Sequence, residues 1–166
     1  MATTMENLKT AFAGESQANR KYTAFAKKAE KDGFAQVARL FRAAAEAETV
    51  HALGHFNAMD AVGSTADNLK AAMAGETYEF TEMYPPMLAQ AQAENHKAKV
   101  MFDYAAKAER IHAGLYKMAL DAVASGKDLP AGDIYVCPVC GNVEFGPPKG
   151  NCAVCGAPAG RFAKIG

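Results

Sequence analysis

Two stretches of the chain carry the same pair of reactive side chains at the same spacing: Glu48-Thr49-Val50-His51 and Glu109-Arg110-Ile111-His112. Three residues apart on an α-helix, a carboxylate and an imidazole share one face, about one turn apart. Two Glu-x-x-His helices, each paired with a helix that adds another glutamate, make the ligand set of a di-iron four-helix bundle. Glu15 and Glu76 are the glutamates placed to complete that set.

The second copy belongs to an internal repeat. Glu15, Glu48 and His51 recur 61 positions later as Glu76, Glu109 and His112. The ten residues from Asn7 to Ser16 reappear in register from Asn68 to Thr77, Phe41 recurs as Phe102, and Val62 as Val123. Two copies of a helical hairpin make a duplicated two-helix unit, not a solenoid.

Periodicity places these residues on four helices. Residues 4–31 put Leu8, Phe12, Glu15, Tyr22 and Ala26 on one face, and Asp32-Gly33 supplies the stop. A second helix is expected from about 34 to 62, with Val37, Phe41, Ala44, Glu48, His51, His55 and Met59 along one stripe. The third starts near 66, carries Glu76 and Glu79, and is expected to bend at Pro85-Pro86, because an internal proline removes a hydrogen bond and clashes with the preceding turn. The fourth runs from about 97 to 125, with Phe102, Ala105, Glu109, His112, Tyr116 and Val123 inward, and Gly126 ends it. Gly14 and Gly75 each cost about 1 kcal/mol relative to alanine, which predicts a close approach of backbone or ligand at both. An unpaired buried carboxylate costs several kcal/mol, so glutamates inside an apolar stripe imply cations between them. The alternative is a purely structural bundle whose glutamates face water.

Gly126 to Asp133 reads as a linker. Residues 134–166 are too few for a core of their own and need a staple. Cys137-Pro-Val-Cys140-Gly141 and Cys152-Ala-Val-Cys155-Gly156 provide one. Each pair forms a knuckle that presents two thiolates to one metal, and the glycine lets the backbone turn back toward sulfur. Four thiolates suit zinc or a single iron. The expected domains are therefore a di-iron bundle (1–126), a linker (127–133) and a four-cysteine metal domain (134–166). With 18 basic and 18 acidic residues the charge is balanced, so no nucleic-acid partner is expected. The start lacks the pattern of a signal peptide and no apolar run approaches the roughly 20 residues of a spanning helix. A cytoplasmic location without a membrane partner is the expectation.

At these residues nearly the whole chain resembles the rubrerythrin family. The resemblance rests on Ala11-Phe-Ala-Gly-Glu15-Ser-Gln-Ala-Asn-Arg-Lys-Tyr22, Glu48-x-x-His51, Gly75-Glu76-x-x-Glu79-x-x-Glu82-Met-Tyr84-Pro85, Glu109-x-x-His112 and both cysteine knuckles. It implies an all-α, ferritin-like four-helix bundle followed by a small metal-stapled rubredoxin-like β/loop domain. It implies two non-haem irons held by Glu15, Glu48, His51, Glu76, Glu79, Glu109 and His112, with Glu48 and Glu109 bridging. It further implies one iron on Cys137, Cys140, Cys152 and Cys155, where zinc can substitute in a recombinant sample. The implied activity is reduction of hydrogen peroxide to water in oxidative-stress defence, with electrons from an upstream donor arriving through the four-cysteine iron. Glu79 and His51 would exchange at one iron, and Tyr22 and Tyr84 would hydrogen-bond near it. A head-to-tail homodimer is implied as well.

The residues add a reason for the exchange. The repeat predicts a twin for Glu79 at position 18, which is Ala18. Two divalent ions balance four glutamates and not five, so replacing Glu79 by neutral His51 leaves a low-dielectric site uncharged. His55 matches Tyr116 in the repeat and is assigned to the core, Glu82 to the periphery. The turn Ala93-Glu94-Asn95-His96 lacks the family's usual glycine. This predicts either a strained hairpin or a chain that continues and exchanges helices between subunits. An iron-oxidising, iron-holding protein without a dedicated reductase is the alternative function, and a zinc-tailed binding bundle a third.

Overall fold

The structure, a computed structural model, describes residues 2–166. It falls into two compact units, one ending at Gly63 and the other running from Ser64 to Gly166.

The first unit is a helical hairpin of α1 (Thr4–Lys31) and α2 (Ala35–Ala58). Thr3 starts α1 with a capping box: its side chain accepts from the Glu6 N–H while Glu6 accepts from the Thr3 N–H. Gly33, at φ +87°, makes the turn. The residues of α2 buried along the seam are Ala38, Ala45 and Ala52, seven apart, and α1 buries Ala26 and Ala29. Small side chains let the backbones approach, and aromatic rings fill the flanks. Phe12 stacks on Phe56 at 4.9 Å, and Phe41 meets Tyr22 at 6.2 Å and Phe25 at 5.6 Å. The stripe expected on α2 is thus rotated by one residue at its start: Val37 is largely exposed and Ala38 fully buried. The helix also stops four residues before Val62, where Asp60 takes φ +51° and breaks the hydrogen-bond ladder.

The second unit contains α3 (Thr65–Tyr78), a π-helical segment (Glu79–Met83), α4 (Tyr84–Ala93) and α5 (Ala98–Ala124). Helix α5 packs against all three preceding segments. Three short strands follow, β1 (Ile134–Val136), β2 (Val143–Phe145) and β3 (Ala163–Ile165), in an antiparallel sheet of order β2-β1-β3. The fold class is the one expected: ferritin-like helical hairpins followed by a small rubredoxin-like domain.

One expectation is corrected and another is narrowed. A side chain at Gly14 or Gly75 would meet no atom of the described residues within 4 Å, so no backbone approach accounts for either glycine. The turn before α5 closes as a hairpin within one chain. The His96 N–H reaches the Ala91 carbonyl at 2.8 Å, and Asn95 adopts φ +49°. Asparagine tolerates this left-handed conformation, which costs other L-residues about 1–2 kcal/mol. Asn95→Val is therefore expected to lower unfolding stability by about 1–2 kcal/mol, whereas Asn95→Gly is neutral or stabilising; denaturant titration checks both.

Candidate metal centres

The first unit brings Glu15, Glu48 and His51 together, with their ligand atoms all within 4.8 Å of one another. Glu48 Oε2 lies 2.9 Å from His51 Nδ1. Behind this triad the buried Asn19 donates to the Ala45 carbonyl at 2.7 Å and to Thr49 Oγ1 at 2.8 Å, bolting α1 to α2.

The second unit repeats the triad with Glu76, Glu109 and His112, again within 4.8 Å. His112 Nδ1 is 2.6 Å from Glu109 Oε2 and 3.7 Å from Glu76 Oε1. The other ring nitrogen, Nε2, is 3.0 Å from the carbonyl of Gly141. A carbonyl only accepts, so Nε2–H donates to it, and Nδ1 is the ring nitrogen turned toward the two carboxylates. A metal-ligating histidine normally gives its second N–H to such a partner, which leaves Nδ1 as the nitrogen that would face a metal. Burial, then the charge of Glu109, holds the Glu76 carboxyl above its usual range. Glu79 is raised by burial and by Glu76, and Tyr84 by burial and by Glu79, Glu109 and Glu76. Both therefore face the second triad. The donor chemistry of the second triad fits divalent metal: crowded carboxylates that repel one another, and an imidazole nitrogen turned toward them. The histidines differ in exposure, at 55% of the side chain for His51 and 18% for His112.

The repeat explains how Tyr84 reaches the site. Glu15 and Tyr22 are seven residues apart, but Glu76 and Tyr84 are eight. In a continuous α-helix the extra residue would turn Tyr84 about 100° off the face. The π-helical segment absorbs it: the Tyr84 N–H bonds to the Glu79 carbonyl, five residues back. Tyr84 then meets Phe102 at 6.2 Å, as Tyr22 meets Phe41, their repeat counterparts, at 6.2 Å. The same offset maps Asn19 and Thr49 onto Phe80 and Arg110. There the hydrogen bond is replaced by a guanidinium 5.2 Å above the ring. Sequence reasoning foresaw a bend at Pro85-Pro86 but not the insertion, which shows only when the two tyrosines are aligned. The π-helical segment also makes both prolines first-turn residues of α4, where a missing N–H costs nothing.

In the tail, Cys137, Cys140, Cys152 and Cys155 form a third cluster. Sulfur separations are 3.6 Å for Cys137–Cys155 and 3.5 Å for Cys140–Cys152. Disulfide sulfurs are about 2 Å apart, whereas thiolates about 2.3 Å from one tetrahedral metal stand about 3.8 Å apart. The knuckles are near copies. Cys137 N–H bonds to Asn142 O and Gly141 N–H to Cys137 O; Cys152 N–H bonds to Ala157 O and Gly156 N–H to Cys152 O. Gly141 and Gly156 take φ +83° and +75°, as the sequence-based turn requires. Burial raises the Cys140 thiol, while for Cys152 the backbone N–H groups of Cys155 and Val154 overcome burial and bring it down to about 7. Gly141 touches His112, so the four-cysteine domain lies against α5.

The rubrerythrin family model matches residues 6–120. The chain belongs to the rubrerythrin family. Rubrerythrin-2 of Clostridium acetobutylicum is 36% identical over 97% of this chain and 96% of its own length. Nigerythrin of Nitratidesulfovibrio vulgaris is 39% identical over 98% of this chain and 86% of its own length. A solved structure of nigerythrin in a partially reduced state superposes with a TM-score of 0.59 at 34% identity, covering 99% of this chain and 88% of that one. Like other rubrerythrins, the chain has a glutamate and histidine di-iron ligand set and a four-cysteine rubredoxin-like site.

The insertion predicts a conditional effect. Deleting Thr81 should merge α3 and α4 into one helix with the prolines inside it, costing about 3 kcal/mol. Deleting Thr81 together with Pro85→Ala and Pro86→Ala should recover most of that loss, as read by unfolding of the metal-free protein.

Proposed function

We propose that this protein is a non-haem di-iron peroxidase that reduces hydrogen peroxide to water, with electrons delivered through an iron held by the four cysteines. The observation that supports it most is the bond from His112 Nε2 to Gly141 O. Gly141 follows Cys140 directly, so one hydrogen bond and a short run of covalent bonds separate a metal-binding sulfur from a histidine of the second triad. An iron-storing protein has no use for such a link; an enzyme fed by an electron donor does.

In this reading Glu15, Glu48, Glu76, Glu109 and His112 would hold the two metals. When bound, two ferrous ions supply the two electrons that cleave an O–O bond and polarise its oxygens. The chain does the rest. Gly141 pins the His112 ring, so that ligand stays. His51 is the more exposed of the two triad histidines, and Glu79 is a crowded carboxylate with no counterpart in the first unit, so these two would be the alternative ligands of one metal. Tyr84 keeps its proton on Oη because burial and three carboxylates disfavour the phenolate, and it donates to the departing oxygen; Tyr22 Oη plays the matching part in the first half. Among the described residues no helix is long and apolar enough to cross a membrane, and thiols kept for metal suit the reducing cytoplasm.

The reduced protein, carrying three irons per chain, is expected to reoxidise much faster with hydrogen peroxide than with dioxygen, and Glu79→Ala should slow the peroxide reaction at least tenfold while leaving the four-cysteine absorption intact. Faster reoxidation by dioxygen would favour the iron-oxidising alternative, and unchanged turnover in Glu79→Ala would remove the exchange.

Each triad supplies half of a di-iron ligand set, and α2 leaves Leu40, Val50 and Leu53 more than half exposed. We propose a homodimer in which helical hairpins are exchanged, so that each set is completed by a second copy. Chains with Glu48→Ala and chains with Glu109→Ala, inactive alone, should then regain activity when unfolded and refolded together, because one of the two sites in each mixed dimer is intact. Ligand sets completed within one chain give no recovery.

A further inference from the structure

The two cysteine knuckles share their backbone bonding, but one position breaks the symmetry. Asn142 and Ala157 are equivalent, each five residues after the first cysteine of its pair. Each places its backbone N–H on the sulfur of the second cysteine, Cys140 or Cys155. Only Asn142 also has a polar side chain, and it is 1% exposed. Its Nδ2 donates to Glu144 Oε1 at 2.9 Å and lies 3.8 Å from Cys152 Sγ, within reach of a hydrogen bond to sulfur. Oδ1 has no partner among the described residues. Rotating the amide would set Oδ1 against a carboxylate and a sulfur, so two negative acceptors fix which end faces them. Leaving a buried oxygen unpaired costs about 1–3 kcal/mol, which a purely structural asparagine would have no reason to retain.

We propose that Asn142 is a positioning residue for electron transfer: its amide, oriented by Glu144, donates an N–H···S bond to Cys152 that raises the reduction potential of iron bound by the four cysteines. On reduction the iron takes one electron from the upstream donor, the charge on metal plus four thiolates goes from −1 to −2, and no proton moves. A donor aimed at sulfur stabilises the more negative state, and hydrogen bonds to sulfur are a known lever on such potentials. The consequence for peroxide turnover rests on the electron-delivery reading above, but the potential itself does not.

The test is redox titration of the iron-loaded full chain, followed by its visible absorption. Asn142→Ala repeats what Ala157 already shows the knuckle accepts, and Asn142→Leu keeps the volume and excludes water. Both should shift the one-electron equilibrium toward the oxidised state by about three- to tenfold, tenfold being about 59 mV. Asn142→Asp, which adds a charge, should shift it further. Potentials unchanged in the Ala and Leu variants overturn the proposal. Should those variants fail to hold iron, the wild-type chain loaded with cadmium-113 decides the matter by NMR: scalar coupling from an Asn142 side-chain amide proton to the metal supports the bond, and its absence overturns it.

Discussion

One ring nitrogen of His112, Nε2, donates its N–H to the carbonyl of Gly141. Much of the second unit depends on that bond. It fixes the ring's orientation and turns Nδ1 toward the carboxylates, 2.6 Å from one oxygen and 3.7 Å from another. Carboxylates gathered this closely hold together only with positive charge among them. Glu76 and Glu79 record the same demand through carboxyls that resist ionising. The bond also ties the cysteine domain to α5. The feature that prepares a metal ligand is therefore the feature that brings the second metal site beside it.

Duplication gave the chain two equivalent triads, and divergence made them unequal. The inserted residue between Glu76 and Tyr84 is housed in a π-helical segment, which keeps the tyrosine in phase and makes room for two prolines. Glu79 stands where the first half has Ala18, so a carboxylate is present on one side only. The Asn19–Thr49 hydrogen bond became the Phe80–Arg110 stack, and this swaps a buried polar bolt for a cation–π contact at the start of the π-helical segment. A symmetric pair of triads would hold two metals alike. Two metals that behave differently need an asymmetry of this kind, and all three differences fall on the π-helical segment and α5.

The helices, their order and the residues that gather into two Glu-Glu-His triads and a four-cysteine cluster were legible because each rests on short-range spacing: three residues for Glu-x-x-His and for Cys-x-x-Cys, 61 for the repeat. The alanine seam of α2 was less so. A run such as Ala43-Ala44-Ala45 offers apolar side chains in every direction, and only packing against α1 selects Ala45. The π-helical segment was hidden because Glu76, Glu109 and His112 keep one offset while Tyr84 keeps another. The hairpin before α5 closed where the absence of glycine had suggested strain or exchange, because Asn95 tolerates the left-handed region. Gly141 and Asn142 were invisible as functional residues. One acts through a backbone carbonyl and the other through a lone amide in a loop, and neither has a sequence signature until tertiary structure sets a partner against it.

Gly141 and Asn142 are neighbours, and their positions suggest one device. The carbonyl of Gly141 faces the histidine of the second triad, while the side chain of Asn142 faces the sulfur of Cys152. The backbone of the same two residues closes the first knuckle, with Gly141 N–H on Cys137 O and Cys137 N–H on Asn142 O. Any shift of this turn would lengthen the contact to His112 and move the amide from sulfur together. The proposed path for electrons and the proposed control of their potential are thus held by the same two residues. A left-handed glycine at 141 is what allows it, since φ +83° turns the carbonyl outward to His112 while sending the next side chain inward to the metal site.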